Sequence, residues 1–134
     1  MLGIALAVFS VINIAAGAGL AGLYLQFRSG GGVPLIVLLI GVVLMVQGGF
    51  TLGYLRGWGS GIGERIAQLF VAGESAAALA GVLGTLQGIL YNLSPVNGDQ
   101  EFGPLMAATL MATHAVVGLT YAARDERLGL RRRA

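Results

Sequence analysis

Few side chains in this sequence could carry out chemistry. The chain has one histidine, His114, and no cysteine, so a zinc site built from four Cys or His ligands is excluded. The glycines at 30–32 are not followed by the lysine and hydroxyl residue of a phosphate-binding loop. Ser10 and Ser75 are expected to lack a base at a matching depth. The sequence therefore predicts a protein that is not an enzyme and that has no cofactor, no metal ion and no catalytic residue.

Four polar residues stand instead inside long apolar segments. They are Asn13, Gln47, Glu74 and His114. Counted at about 1.5 Å per residue, each falls within about two helical turns of the middle of a bilayer, so we expect one polar layer. The spans that carry Glu74 and His114 enter the membrane from opposite sides, and the two side chains reach a similar depth. They are therefore expected to pair. An ionisable side chain at this depth costs about 2.5 to 3.5 kcal/mol on insertion scales and is a candidate functional site.

The Glu74 and His114 pair has two interpretations. A neutral carboxyl group that is hydrogen-bonded to a neutral imidazole joins two helices and is structural. Alternatively, the pair carries protons or ions in a small oligomeric transporter or channel. We favour the structural pair, because a proton pathway usually needs several ionisable groups in succession and these two stand alone in the apolar segments.

The segments that carry these four polar residues are bounded by the charged residues of the sequence. Of the 134 residues, 56% are hydrophobic and only 10% are charged, and the mean hydropathy is +0.82. Disorder requires low hydrophobicity and high charge, and so apolar a chain is atypical of a soluble domain. The apolar segments are 2–27, 33–55, 66–93 and 104–123. About 20 apolar residues cross a bilayer as a helix, so residues 1–134 are predicted to form one transmembrane domain with these spans.

The connections between the spans predict how the helices pack. Each is short and rich in glycine or proline, which brings sequence neighbours together as antiparallel helices. Helices are required because four strands cannot close a barrel and lipid offers the backbone no hydrogen-bond partner. The predicted fold class is an all-α integral membrane protein, a four-helix transmembrane bundle.

Arginine placement predicts the orientation of the bundle. All eight basic residues are arginine, and the side that holds both termini has seven of them: Arg56, Arg65, Arg124, Arg127, Arg131, Arg132 and Arg133. The positive-inside rule then places the N and C termini inside. The basic tail at 124–134 is expected to anchor this topology on anionic lipid headgroups. The more specific alternative is that the tail binds nucleic acid or a partner protein.

Small residues four apart are expected to bring the helices close together. The glycines in these stripes are Gly19, Gly22, Gly49, Gly53, Gly81, Gly84 and Gly88. A flat stripe lets a second backbone approach, which replaces the hydrophobic drive that is missing between helices in lipid. The alternative is that the stripes line a pore or a moving interface, and we favour packing.

The second span ends in an aromatic residue followed by an arginine, in Gly53-Tyr-Leu-Arg-Gly-Trp58, and the chain has no lysine and a basic inner tail. With its four spans and minimal loops, the chain resembles the small internal membrane protein of pleomorphic haloarchaeal viruses, which lies beneath the spike protein in the virion envelope. It is also similar to small four-span proteins of haloarchaea. The resemblance covers the architecture of the whole chain and carries over no functional residue.

The resemblance implies a structural multi-pass component of a virion envelope or a cell membrane. Its expected partners are the lipid bilayer and a second copy or another membrane protein. The alternatives are the transporter or channel described above and an accessory subunit of a larger membrane complex.

Overall fold

Four α-helices form the described part of the chain. The structure is a computed structural model that describes residues 1–27, 35–57, 63–94 and 102–125. Its helices are α1 (Leu2–Phe27), α2 (Leu35–Leu55), α3 (Gly63–Leu93) and α4 (Phe102–Ala122). Each is long enough and apolar enough to cross a membrane. The helices confirm the prediction of an all-α four-helix bundle.

Helix ends differ from the predicted spans where charged residues or proline continue the helix. Helix α3 begins at Gly63 rather than 66, and Glu64 lies in its first turn, where a negative side chain is favourable. Helix α4 begins at Phe102 rather than 104, because Pro104 lies in the first turn, where an N–H has no partner within the helix. The predicted start of the second span, at 33, lies outside the described residues.

Helices α1 and α2 form one hairpin with close glycine contacts. A Cβ atom on Gly17 would collide with the carbonyl oxygen of Gly41, and a Cβ atom on Gly48 would collide with that of Ser10. Early residues of α1 therefore lie opposite late residues of α2, so the two helices are antiparallel. Their backbones touch because positions 17, 41 and 48 are glycine, and a side chain at any of them would collide with the facing helix.

Helices α3 and α4 form a second antiparallel hairpin of the same kind. A Cβ atom on Gly81 would lie 2.6 Å from Ala112 N and 2.9 Å from Ala108 O. Two turns further on, a Cβ atom on Gly88 would lie 3.1 Å from Leu105 Cβ. Glycine is thus required where α3 crosses the backbone of α4.

The predicted packing glycines divide into two groups. Gly81, Gly84 and Gly88 lie against α4, and Gly53 is buried. For the others no atom lies within 4 Å of an added Cβ: Gly19, Gly22 and Gly49. The packing prediction is wrong for these three within one chain, because α1 and α2 carry small residues on several faces and a four-residue spacing does not select the face in contact.

The two hairpins meet less closely than the helices within each hairpin, with α1 beside α4 and α2 beside α3. The end that holds the start of α1 and the end of α4 has a buried apolar cluster: Leu6, Tyr54, Ala67, Phe70 and Ala122. We call it the inner cluster, after the predicted orientation. A second apolar cluster, the outer cluster, lies beyond the middle of the bundle: Leu44, Ala107 and Met111.

Candidate functional site

The buried face of each helix carries polar residues to the middle of the bundle. On α1 the buried residues are Leu6, Ser10, Asn13 and Gly17. Their alternating steps of four and three residues keep them on one face of a helix. Any polar residue within such a stripe is forced into the interior, where it needs a hydrogen-bond partner.

Six polar side chains from all four helices form a continuous set of contacts, which we call the polar ring: Ser10, Asn13, Gln47, Thr51, Glu74 and His114. Asn13 Nδ2 donates to Gln47 Oε1 at 2.9 Å, and Gln47 Nε2 donates to Glu74 Oε2 at 2.9 Å. His114 Nδ1 lies 3.5 Å from Glu74 Oε1. His114 Nε2 lies 3.1 Å from Ser10 Oγ. Because Ser10 and Asn13 are both on α1, the contacts run through every helix and return to the first.

Glu74 is the most connected member of the polar ring. Thr51 Oγ1 lies 2.9 Å from its Oε1 atom and also 2.8 Å from the Gln47 carbonyl oxygen. A Cβ atom at Gly118 would lie 3.0 Å from Glu74 Cδ, so α4 has glycine where the carboxyl group passes. The Glu74 side chain is only 3% exposed, which places it inside the bundle rather than at its surface.

The four residues of the predicted polar layer are brought together, and Glu74 faces His114 as expected. Two ring members were missed, Ser10 and Thr51. The expectation that Ser10 lacks a nearby base is wrong, because His114 Nε2 lies 3.1 Å away. Both hydroxyls bond to the carbonyl four residues earlier, as helical Ser and Thr often do, so the sequence gives them no distinguishing mark.

The positions of the hydrogens in the polar ring follow from the number of hydrogens that Ser10 and His114 carry. Ser10 has a single hydroxyl hydrogen, which it donates to Leu6 O at 2.7 Å, so Ser10 accepts from His114 Nε2–H. In neutral histidine, Nδ1 is then a bare acceptor that faces Glu74, and Nδ1 is buried without a hydrogen-bond partner among the described residues. The ring can hold one shared proton either on Glu74, as a carboxylic acid, or on His114, as an imidazolium. Both arrangements are neutral overall.

Ser10, His114 and Glu74 have the residue types of a hydrolase triad, yet their geometry does not suit acyl transfer. The Ser10 hydroxyl hydrogen points to the Leu6 carbonyl rather than to His114, and Ser10 is completely buried. Ser10 also lies in the middle of α1, where backbone N–H groups are occupied by helical bonds and cannot form an oxyanion hole. In this arrangement Ser10 is a hydrogen-bonding residue.

Apolar layers lie on both sides of the polar ring along the bundle. Leu6 of the inner cluster is one turn from Ser10, and Leu44 and Met111 of the outer cluster are about one turn from Gln47 and His114. Within the described ranges, no group of three or more His, Cys, Asp or Glu residues could hold a metal ion. The ring is therefore a polar layer enclosed between apolar layers.

The predicted basic inner face is only partly described. Arg56 follows α2, Arg65 lies at the start of α3 and Arg124 follows α4, so these three arginines belong to the end of the bundle that holds the inner cluster. The remaining members lie outside the described residues: Arg127, Arg131, Arg132 and Arg133.

No family model, curated protein or solved structure matches this chain. The fold and the site nevertheless define its class. The chain is a multi-pass integral membrane protein with a polar ring inside a bundle of four helices.

Proposed function

We propose that this protein is a non-enzymatic structural component of its membrane, in which the polar ring fixes two helical hairpins against each other. The observation that carries the proposal is the closed course of the ring. Its contacts start and end on α1 and use side chains from all four helices. A ring of this kind favours one arrangement of the hairpins, because another arrangement would break the hydrogen bonds that Gln47 and Glu74 make across the helices.

The apolar layers support a structural role over a channel along the bundle axis. Ion or proton conduction requires water or a succession of polar groups through the membrane. In the inner cluster the buried side chains of Tyr54 and Phe70 stack on each other, with ring centroids 4.0 Å apart and ring planes 2° apart. The outer cluster packs against further apolar residues of α1, α2 and α3.

Proton flux into liposomes tests this proposal. Purified protein is incorporated into liposomes that contain a pH-sensitive dye, and a potassium gradient with valinomycin supplies the voltage. We expect wild type and Glu74→Gln to leak protons at the rate of protein-free liposomes. Flux that is present in the wild type and lost in Glu74→Gln would overturn the structural role.

Proton-coupled transport is the second candidate, and one observation favours it. The contact between His114 Nδ1 and Glu74 Oε1 spans 3.5 Å, and the ring is neutral overall with the shared proton on either residue. A proton site with two near-equivalent positions is what a carrier needs at the middle of a membrane. The liposome experiment separates this candidate from the structural role.

The envelope or membrane-organising role rests on the basic end of the bundle. Arg56, Arg65 and Arg124 lie at one end of the bundle, and Arg124 is the first residue of the basic tail. Juxtamembrane arginines attract anionic lipid by about 1 kcal/mol each. We propose anionic headgroups as the partner of this face, with nucleic acid as the alternative.

A further inference from the structure

A cavity of about 270 Å³ lies between helices α2 and α3 beside the polar ring and is open to the outer surface of the bundle. Its lining includes Val42, Val46, Phe50, Gly73, Gln47 and Glu74. The three apolar side chains Val42, Val46 and Phe50 are exposed at the surface of the bundle, and no atom lies within 4 Å of an added Cβ on Gly73. In a bilayer this opening faces the hydrocarbon, so a molecule dissolved in the membrane can reach it.

We propose that this cavity binds a lipophilic amine cation, with its apolar ring among the valines and Phe50 and its ammonium group on Glu74. The proposal goes beyond the structural role, which does not require a ligand.

The size of the cavity fits a single ring with a short chain. An engineered cavity of about 150 Å³ is enough to hold benzene, and this one measures about 270 Å³. Two phenylalanines lie at the cavity, with the centroids of Phe50 and Phe70 6.4 Å apart, and aromatic rings attract both other rings and cations.

Gln47 and Glu74 are the polar residues of an otherwise apolar lining, and the Glu74 carboxyl group is the one that a cation with N–H donors would bind. Glu74 Oε1 accepts from Thr51 and faces His114 Nδ1, whereas a single described donor, Gln47 Nε2, reaches Oε2. A carboxylate oxygen can accept two hydrogen bonds, so Oε2 keeps capacity for an ammonium N–H. A lipid acyl chain would fill the apolar part of the cavity and leave this acceptor unused.

Charge balance couples amine binding to the release of one proton. The free ring holds one proton on Glu74 or His114. If an ammonium cation entered while this proton remained, the site would carry a net positive charge inside the membrane, which is costly. His114 is the titratable group that faces Glu74 within the described ranges, while α2 contributes the uncharged Gln47 and Thr51 and α1 reaches His114 through Ser10. The bound state is therefore ammonium, Glu74 carboxylate and neutral His114 in the tautomer that carries its proton on Nδ1, facing Glu74 Oε1, while the Ser10 hydroxyl turns from Leu6 O to donate to His114 Nε2.

Binding of tritiated 2-phenylethylamine to the protein in zwitterionic nanodiscs tests the proposal, with empty nanodiscs as background. We expect saturable binding of one amine per chain, and release of one proton that an indicator dye records in weak buffer. Glu74→Gln should lower amine affinity about tenfold or more, the scale of a charge-assisted hydrogen bond. The same variant should leave binding of the neutral analogue 2-phenylethanol within about twofold of the wild-type value, since the apolar contacts remain.

A second pair of variants tests the cavity without altering the polar ring. Gly73→Leu places a side chain into the cavity and should abolish binding of both the amine and the alcohol. Gly19→Leu is the matched control, because it also faces away from the other helices, with no atom within 4 Å of its added Cβ, and should bind both as wild type does. Unsaturable binding, or amine affinity that is equal in wild type, Glu74→Gln and Gly73→Leu, would overturn the proposal and leave a lipid chain or a second copy as the occupant.

Discussion

Glu74 holds the polar ring together because three other ring members approach its two oxygens. Gln47 reaches Oε2, and Thr51 and His114 reach Oε1. Removing a buried group leaves its partners unsatisfied, whereas exchanging it for a group of the same shape keeps most hydrogen bonds. The identity of residue 74 therefore matters for the ring through its shape and hydrogen bonds more than through its charge.

We expect Glu74→Gln to change the free energy of unfolding little and Glu74→Ala to lower it by about 1 kcal/mol, the scale of hydrogen bonds between helices in membranes. Reversible unfolding in mixed micelles, followed by circular dichroism, measures both. Gln87→Ala is the control on the same helix, because Gln87 is exposed and its loss leaves the ring intact. A larger loss for Glu74→Gln than for Glu74→Ala would contradict this account and show that the charge itself stabilises the bundle.

The depth of each residue in its span predicts four of the six ring members, because a polar residue in the middle of a span must face the interior of the bundle. The same depth does not distinguish Ser10 and Thr51. Their hydroxyls bond to their own helix, and so do the exposed Thr109 and Thr120. The signal that separates them is position: Ser10 lies three residues before Asn13, and Thr51 four residues after Gln47, which places each hydroxyl on the face of a predicted ring member.

At the level of the helix, the polar residue identifies the face in contact better than the glycine spacing does. From Asn13, one turn along the same face leads to Gly17, which contacts α2, and not to Gly19, which does not. On α3 two turns from Glu74 lead to Gly81, where the glycine stripe and the polar face coincide and the prediction succeeded. Small residues are too frequent in α1 for spacing alone to decide.

Gly17 and Gly19 give a matched test of this helix face. We expect Gly17→Ala to destabilise the bundle by about 1 to 3 kcal/mol, the scale of overpacking, because its methyl group would collide with the Gly41 backbone. Gly19→Ala adds the same methyl group to the same helix without a neighbour and should leave unfolding in micelles unchanged. If both variants lost equal stability, the close contact between α1 and α2 would not be the cause.

For the whole molecule, the sequence predicts the number and length of the helices but not the gap between α2 and α3. Span length follows from bilayer thickness, which any apolar run must match. The gap depends on the sizes of two side chains that are distant in sequence, Tyr54 and Phe70. Glycines draw the helices together within each hairpin, whereas Tyr54 and Phe70 meet between the hairpins and hold α2 and α3 apart beside the cavity. No local pattern encodes such a difference.

The predicted orientation can be tested with reporter fusions. Positive-inside logic predicts a cytoplasmic signal for a reporter placed after residue 134 and for one placed within residues 57–63. A reporter at Asn97 should be external, because α3 and α4 are antiparallel and Asn97 stands between them in sequence. An external signal from either of the first two positions would contradict the four-span topology.

The basic tail gives a test of the envelope role that leaves the bundle intact. We expect replacement of Arg131, Arg132 and Arg133 by glutamine to preserve topology, because four arginines remain on the inner side: Arg56, Arg65, Arg124 and Arg127. The variant should co-purify with less anionic lipid or nucleic acid than the parent protein. The parent association should weaken as salt rises, since each neutralised phosphate releases counterions and the Debye length falls to about 3 Å at 1 M. Lipid and nucleic acid recovery, measured by phosphate assay and absorbance, distinguishes the two partners. Equal recovery from both proteins would leave the tail as a topology signal and remove the support for an envelope role.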